Sequence, residues 1–160
     1  MSTTLVAPLA PRQCSGLYVG PMAAETNLLE EGAVPQLDFE KLCKIGQRDQ
    51  HVLPVVLQSA DDGEVLFVGY ANELALRETL ATRRAVLWST SRNELWRKGE
   101  TSGDILDLVE VRVNCEQNSL LYRVRARAGG ACHTRDASGK SRAGCYYRRL
   151  DDAGTTLEFV

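Results

Sequence analysis

Two segments in the second half of the chain alternate between apolar and charged side chains with the two-residue period of a β-strand. Within residues 106–113, valines from Val109 onward alternate with Glu110 and Arg112, and residues 120–126 repeat the pattern. Because successive side chains of a strand point to opposite faces, we expect the valines to share one face of a sheet. The second half of the chain is therefore predicted to be built from strands that bury one face.

The first half carries the signals of a β-hairpin. Apolar and β-branched residues at 52–58 and 64–70 flank Asp61, Asp62 and Gly63. Aspartate and glycine between two such runs are typical of a tight turn that joins antiparallel strands. The segment 52–70 is therefore predicted to form two paired strands.

One helix is predicted directly after this hairpin. Asn72 is a good N-cap for a helix over 73–83, in which Leu76 and Leu80 lie four residues apart and form a buried stripe. One main helix among many strands predicts an α+β domain with a mostly antiparallel, curled sheet. Two shorter strands are predicted at 85–89 and 145–149.

Size and composition indicate one globular domain. The chain has 160 residues, 44% of them hydrophobic and 25% charged. Residues 1–36 are predicted to be an N-terminal arm and residues 37–160 the domain, which begins with a short helix at 37–45. The formal net charge of -2 argues against non-specific nucleic-acid binding. No apolar run approaches the roughly 20 residues of a membrane span, and no secretory signal begins the chain, so we expect a cytoplasmic protein.

Disulfides are rare in the cytosol, so the roles of the five cysteines have to be considered one by one. Cys14 lies in the proposed arm and Cys43 follows an apolar neighbour, so neither indicates a metal. Cys115, Cys132 and Cys145 remain, with a Cys-x16-Cys-x12-Cys spacing that matches no standard zinc finger. Spacing alone leaves a metal site and buried structural thiols both open.

The turn between the two alternating strands places one of these thiols among oxygen-bearing side chains. Asn114, Glu116 and Asn118 alternate with Cys115 and its neighbours. Thiolate suits a soft metal and side-chain oxygens suit a hard one. A polar turn without a metal is equally consistent with this segment.

Residues 96–103, with the sequence WRKGETSG, combine adjacent cations, two hydroxyls and two glycines. Such residues can surround a phosphate with charge-assisted and backbone hydrogen bonds, although a solvated turn has the same composition. Trp88 and Trp96 are either core anchors or a platform on which a base could stack.

Taken in order, these motifs resemble the phosphoribosyl-AMP cyclohydrolase family over residues 37–150. The resemblance rests on the following segments: Leu53-Pro54, Tyr70-Ala71-Asn72-Glu73, Trp88-Ser89-x-Ser91-Arg92, Leu95-Trp96-x-Lys98-Gly99-Glu100-Thr101-Ser102-Gly103, Ala131-Cys132-His133-Thr134 and Cys145-Tyr146-Tyr147-Arg148. It implies that residues 37–160 form a cyclohydrolase-like domain of an intertwined homodimer. It also implies hydrolytic opening of the adenine ring of 1-(5-phosphoribosyl)-AMP at the N1–C6 bond, a step of histidine biosynthesis.

The resemblance also assigns roles to residues. It implies zinc on Cys115, Cys132 and Cys145, in a site shared between the two subunits. His133 is the candidate general base, and Asp104 stands where the family usually has a histidine. The expected substrate-binding residues, which would hold a phosphorylated purine nucleotide, are Trp88, Arg92, Trp96, Arg97, Lys98, Glu100, Thr101, Ser102 and Gly103.

Two departures from the family pattern leave alternatives open. The family binds magnesium with three aspartates, and the matching residues here are Asn114, Glu116 and Asn118. Because a hard cation needs carboxylate charge, magnesium binding at these residues is left open. The loop 135–144 is longer than in the family. A related zinc cyclohydrolase or deaminase acting on another purine nucleotide, or a non-catalytic zinc-stapled nucleotide-binding dimer, would also explain these departures.

Overall fold

The computed structural model describes residues 25–160, so most of the predicted arm lies outside the described residues. The described residues form three helices and eight strands: α1 Glu25–Glu31, α2 Lys41–Gln47, β1 Leu53–Ser59, β2 Val65–Ala71, α3 Glu73–Thr82, β3 Val86–Ser89, β4 Glu94–Arg97, β5 Leu106–Val113, β6 Leu120–Ala126, β7 Arg148–Leu150 and β8 Leu157–Phe159. The α+β class is confirmed. Within these residues, no helix is long and apolar enough to cross a bilayer.

The central sheet has four strands in the order β2-β1-β6-β5. The pairs β1–β2 and β5–β6 are antiparallel, and the hairpin signals at residues 52–70 predicted the first of them. β1 and β6 are parallel, with Val55 beside Leu120, so the sheet is mixed. The sequence did not predict this parallel pair. It depends on how two hairpins meet in space, and local turn residues do not specify such an arrangement.

A β-bulge interrupts the alternation of side chains along β5. The register between β5 and β6 shifts between Leu108 and Glu110, which leaves Val109 between the paired positions. Leu106 and Leu108 are buried, whereas Val113 is 55% exposed. Val111 and Val113 pair with the buried Tyr122 and Leu120, on the same face as Leu108, and Val111 packs against the core. The prediction that the three valines share one face is therefore wrong only for the bulged Val109.

α3 begins where the sequence predicted, since Asn72 Oδ1 accepts a hydrogen bond from Ala75 N at 2.9 Å. The buried stripe is different. Leu76 packs half-buried against the core as predicted, but Leu80 is 48% exposed, and Ala75 and Thr79 are the fully buried positions. Thr79 Oγ1 donates to Val86 O at 2.9 Å and accepts from Val86 N at 3.0 Å, so a hydroxyl joins the helix to β3.

The C-terminal region differs from the predicted strand at 145–149. β7 begins only at Arg148 and pairs with β8 in a separate two-stranded sheet. This hairpin holds the segment that follows α1, since Leu157 N donates to Ala33 O at 2.6 Å. The region 28–33, which the sequence assigned to the arm, therefore contacts the C-terminal part of the chain.

Candidate functional site

Two of the three candidate thiols meet beside the start of β2. The sulfur atoms of Cys132 and Cys145 are 3.7 Å apart, and Cys132 is 1% exposed. Cys145 N donates to Leu66 O at 2.7 Å, and Cys132 N donates to Arg142 O at 3.1 Å. These backbone bonds fix both thiols relative to the central sheet.

The long loop between these thiols closes on itself and so brings them together. Arg135 and Ser141 form a β-bridge, and Asp136 N donates to Lys140 O at 2.8 Å across a tight turn. A Cβ on Gly130 would lie 2.7 Å from Ser141 Cβ, so only glycine allows the two arms of the loop to approach so closely. The additional residues therefore form a small hairpin and do not separate the cysteines.

The spacing of the two sulfur atoms fits a tetrahedral thiolate metal site. With zinc–sulfur bonds of about 2.3 Å, two ligands of a tetrahedron are about 3.8 Å apart. A disulfide would need a separation of about 2.05 Å. The observed 3.7 Å therefore matches two zinc ligands.

The surroundings of the thiols also favour a cation. Cys145 is exposed as a residue, but desolvation of its thiol and the neighbouring Cys132 raise the pKa of Cys145 to about 12, so two thiolates are costly here without a cation. Lys98 is 6% exposed, and burial lowers its pKa although Asp104 and both cysteines oppose that shift. Thr134 N lies 3.5 Å from Cys132 Sγ as a donor, and Thr134 Oγ1 lies 3.1 Å from the same sulfur.

The two candidate catalytic residues differ in burial and in their partners. Asp104 is 5% exposed; its carbonyl accepts from Lys98 Nζ at 3.3 Å, and its Oδ2 accepts from Ser141 Oγ at 3.4 Å. The side chain of His133 is 72% exposed, and its Nε2 lies 2.8 Å from Glu30 Oε1. Sequence reasoning missed Glu30, Thr134 and Ser141. Glu30 is 103 residues from His133, so no local signal could have indicated this contact.

Cys115 is exposed and lies in the turn that connects β5 to β6. This turn follows Val113, which is level with Leu120 and, through β1, with the C-terminal half of β2. The Cys132–Cys145 pair lies at the N-terminal end of β2, three strands away, so strand spacings place Cys115 more than about 15 Å from it. Within residues 25–160, no group of three His, Cys, Asp or Glu side chains could hold a metal ion.

The turn at 114–118 is closed by its own hydrogen bonds. Asn114 Oδ1 accepts from Asn118 N at 3.0 Å and from Ser119 N at 2.9 Å. Asn114 Nδ2 donates to Asn118 Oδ1 at 2.8 Å, and Asn118 Nδ2 donates to Glu116 Oε2 at 2.9 Å. Both amide oxygens are therefore engaged, and the turn offers a hard cation one carboxylate. These residues do not fit a magnesium ion.

The structure does not gather the predicted phosphate-binding cations into one cradle. Arg97 binds the Glu78 carboxylate through two nitrogens, the second at 3.0 Å. Arg92 lies 2.8 Å from Glu94 in the turn of the β3–β4 hairpin, at the opposite end from Arg97. Lys98 points inward to Asp104, so of the three cations it alone lies beside the thiol pair.

The remaining predicted substrate contacts divide into exposed and half-buried positions. Glu100, Thr101, Ser102 and Gly103 are exposed in the turn after β4, which Gly103 N closes by donating to Gly99 O at 2.8 Å. Trp88 and Trp96 are both half-buried. The Trp96 ring lies 6.0 Å from the ring of Phe67, so it packs against the core while keeping an accessible edge.

Comparisons with known proteins agree on one family. A family model described as phosphoribosyl-AMP cyclohydrolase matches residues 67–147, a range that contains all three candidate thiols and excludes α1. The phosphoribosyl-AMP cyclohydrolase of Bordetella parapertussis is 43% identical over 109 residues, which cover 68% of this chain and 77% of that protein. The protein of the same name from Alkalilimnicola ehrlichii is 47% identical over 105 residues, or 66% of this chain and 69% of the relative. The histidine biosynthesis bifunctional protein HisIE of Thermus thermophilus is 45% identical over 112 residues, which cover 70% of this chain and 49% of the relative.

Proposed function

Because this chain belongs to the phosphoribosyl-AMP cyclohydrolase family, we propose that it opens the adenine ring of 1-(5-phosphoribosyl)-AMP by zinc-dependent hydrolysis of the N1–C6 bond. The family acts in histidine biosynthesis, and its members are hydrolases of a cyclic amidine. The observation that carries the zinc part of the proposal is the 3.7 Å separation of Cys132 and Cys145. A cytoplasmic location belongs to the same proposal, because thiol ligands require a reducing compartment.

A complete zinc site requires a second copy of the chain. Cys132 and Cys145 supply two ligands, and the third thiol, Cys115, is exposed and distant within the same chain. We infer a homodimer in which each site takes Cys132 and Cys145 from one subunit and Cys115 from the other. Three protein ligands leave one position for water, the arrangement of a catalytic zinc.

The protein residues prepare this site for hydrolysis. When bound, zinc would act as a Lewis acid that activates a water molecule. Thr134 orients the Cys132 sulfur through its N–H and hydroxyl, and the buried Lys98 offsets the negative charge of the thiolates. His133, next to Cys132, accepts the proton that the attacking water loses. The reacting carbon is electrophilic because alkylation at N1 makes the purine ring cationic.

Substrate binding is proposed for the turn after β4 and the adjacent hairpin. Thr101 and Ser102 present hydroxyls at the surface, and Arg92 and Arg97 can bind phosphate if they exchange their present carboxylate partners for it. Such an exchange replaces one charge-assisted contact by another, so its net cost is small. No step is assigned to magnesium, because the turn at 114–118 does not fit that ion.

A second candidate substrate is another purine nucleotide. Asp104 stands in place of the family's usual histidine and is buried beside Lys98, so a group near the thiols has changed its charge. The experiment that separates the candidates is an absorbance assay of ring opening with purified, zinc-loaded protein. Turnover of phosphoribosyl-AMP above that of AMP or other purine nucleotides supports the proposal. Stoichiometric zinc without turnover of any of these would indicate a non-catalytic dimer.

A further inference from the structure

α1 ends against the loop that carries Cys132 and His133. Glu30, in the last turn of α1, places Oε1 2.8 Å from His133 Nε2. The Glu30 side chain is 29% exposed, whereas that of His133 is 72% exposed. The carboxylate is therefore the better-anchored partner, and the imidazole is the group whose orientation the contact decides.

The backbone of α1 is held in place by the C-terminal region. Tyr147 Oη donates to Glu30 O at 2.9 Å, and Arg148 donates to Leu29 O at 2.9 Å and to Gly32 O at 2.8 Å. These donors satisfy carbonyls that the end of a helix leaves without intrahelical partners. The end of the helix that carries Glu30 is thus anchored to Tyr147 and Arg148, which lie two and three residues after Cys145.

Arg142 connects this anchor to the thiol loop. Its carbonyl accepts from Cys132 N at 3.1 Å, while its guanidinium lies 4.2 Å from the centre of the Tyr147 ring and 3.3 Å from Glu31 Oε2. Arg142 therefore contacts both the backbone of the thiol loop and the end of α1. The relative positions of Glu30 and His133 are set by this shared support.

The contact determines which imidazole nitrogen is free. A carboxylate accepts hydrogen bonds and does not donate them, so in the neutral imidazole Nε2 carries the hydrogen and Nδ1 keeps its lone pair. We propose that Glu30 is a positioning residue that fixes the orientation and tautomer of His133, so that Nδ1 is the nitrogen that keeps a free lone pair. This inference rests on the proposed function for the role of His133. It extends the site to α1, which lies outside the range that the family model matches.

A spectroscopic experiment tests the contact without relying on activity. The chain has two histidines, and a His51→Gln variant assigns their ring signals. In full-length, zinc-loaded protein with ¹⁵N-labelled histidine, at a pH where the ring is neutral, the His133 signals should show hydrogen on Nε2. In Glu30→Ala they should move toward a mixture of tautomers, while Glu73→Gln should leave them unchanged, because Glu73 pairs with Arg77 on the exposed surface of α3. Unchanged His133 signals in Glu30→Ala would overturn the proposal.

Kinetics of the same proteins test the catalytic consequence. Glu30→Ala should lower kcat by about 10–100-fold, part of the 10²–10⁴-fold that a positioned general base contributes, with KM within about twofold. Glu30→Asp should recover part of that loss, and Glu30→Ala should have no further effect in a His133→Asn background. A parental kcat in Glu30→Ala would overturn the positioning role even if the parent protein opens phosphoribosyl-AMP. Failure of the zinc-loaded parent to turn over that substrate would instead contradict the proposed function, while the tautomer measurement would still decide the contact.

Discussion

Cys132 and Cys145 place their sulfur atoms 3.7 Å apart across the small hairpin formed by the residues between them. We predict about one zinc per chain in protein purified with zinc, and little zinc in Cys132→Ser, because hydroxyl is a poor ligand for this soft metal. Metal analysis after gel filtration checks this. Thr82→Ser is the control, since Thr82 is exposed at the end of α3 and is not one of the three thiols, and it should leave the zinc content unchanged. Full zinc occupancy in Cys132→Ser would contradict the assignment.

Lys98 and Arg97 are adjacent in sequence but have different surroundings. Lys98→Met removes a buried cation beside the thiols and should weaken zinc binding about tenfold or more. Arg97 is exposed and paired with Glu78, so the Arg97→Gln protein should keep its zinc. Its KM should rise, because substrate binding loses about 1–3 kcal/mol. Zinc competition with a chelator and saturation kinetics measure the two effects. The opposite pattern, with zinc lost only in Arg97→Gln, would refute this division of roles.

Magnesium should stimulate the enzyme weakly or only at high concentration. Asn114 and Asn118 satisfy each other's amide groups, and Glu116 is the one carboxylate in the turn. Replacing Asn114, Glu116 and Asn118 with aspartate should strengthen the magnesium dependence, because the amide bonds are lost and carboxylate charge is gained. Asn93→Asp, at another turn, is the control. The measurement is ring-opening activity during a magnesium titration of chelator-treated, zinc-repleted protein. Strong activation of the parent at micromolar magnesium would contradict the prediction and show that another hard-metal site exists.

The hairpin that anchors α1 should be sensitive to acid. Hydrogen bonds from the backbone of Thr156 and Thr155, and then from the Thr155 hydroxyl, lower the pKa of Asp151 from 3.8 to about 2. Because the folded-state pKa is depressed, the stabilisation is present above about pH 3.8 and is lost as the pH falls toward about 2. The difference in unfolding free energy between the parent and Asp151→Asn should therefore shrink over that interval. A difference that stays constant from pH 5 to pH 2 would contradict the assignment.

Features governed by neighbouring residues were predictable from the sequence. The β1–β2 hairpin and the start of α3 follow from Gly63 and Asn72, whose turn and capping preferences act over a few residues. The burial of Thr79 in place of Leu80 was not predictable, because it depends on a hydroxyl contact with β3. The bulge beside Leu108 likewise has no local signal, and it separates Val109 from the face that Val111 shares with Leu108.

In the candidate site too, motifs along the chain were predictable, whereas contacts between distant segments were not. Family motifs indicated Cys132 and Cys145, and the structure brings them together. The inward direction of Lys98 and the contact of Glu30 with His133 depend on packing between distant segments, which neither spacing nor composition encodes. The loss of acidic charge at 114–118 was visible in the sequence. The amide bonds that close this turn became visible only in the structure.

The most direct test of the shared zinc site is subunit complementation. Cys115→Ser and Cys132→Ser should each be inactive in opening phosphoribosyl-AMP. When the two are unfolded together and refolded as a mixture, each mixed dimer contains one intact set of three thiols, so zinc binding and ring-opening activity should reappear, up to about half the parental activity per mixed dimer. Each variant refolded alone is the control. No recovery in a mixture shown to contain mixed dimers, or full activity of Cys115→Ser alone, would contradict the account.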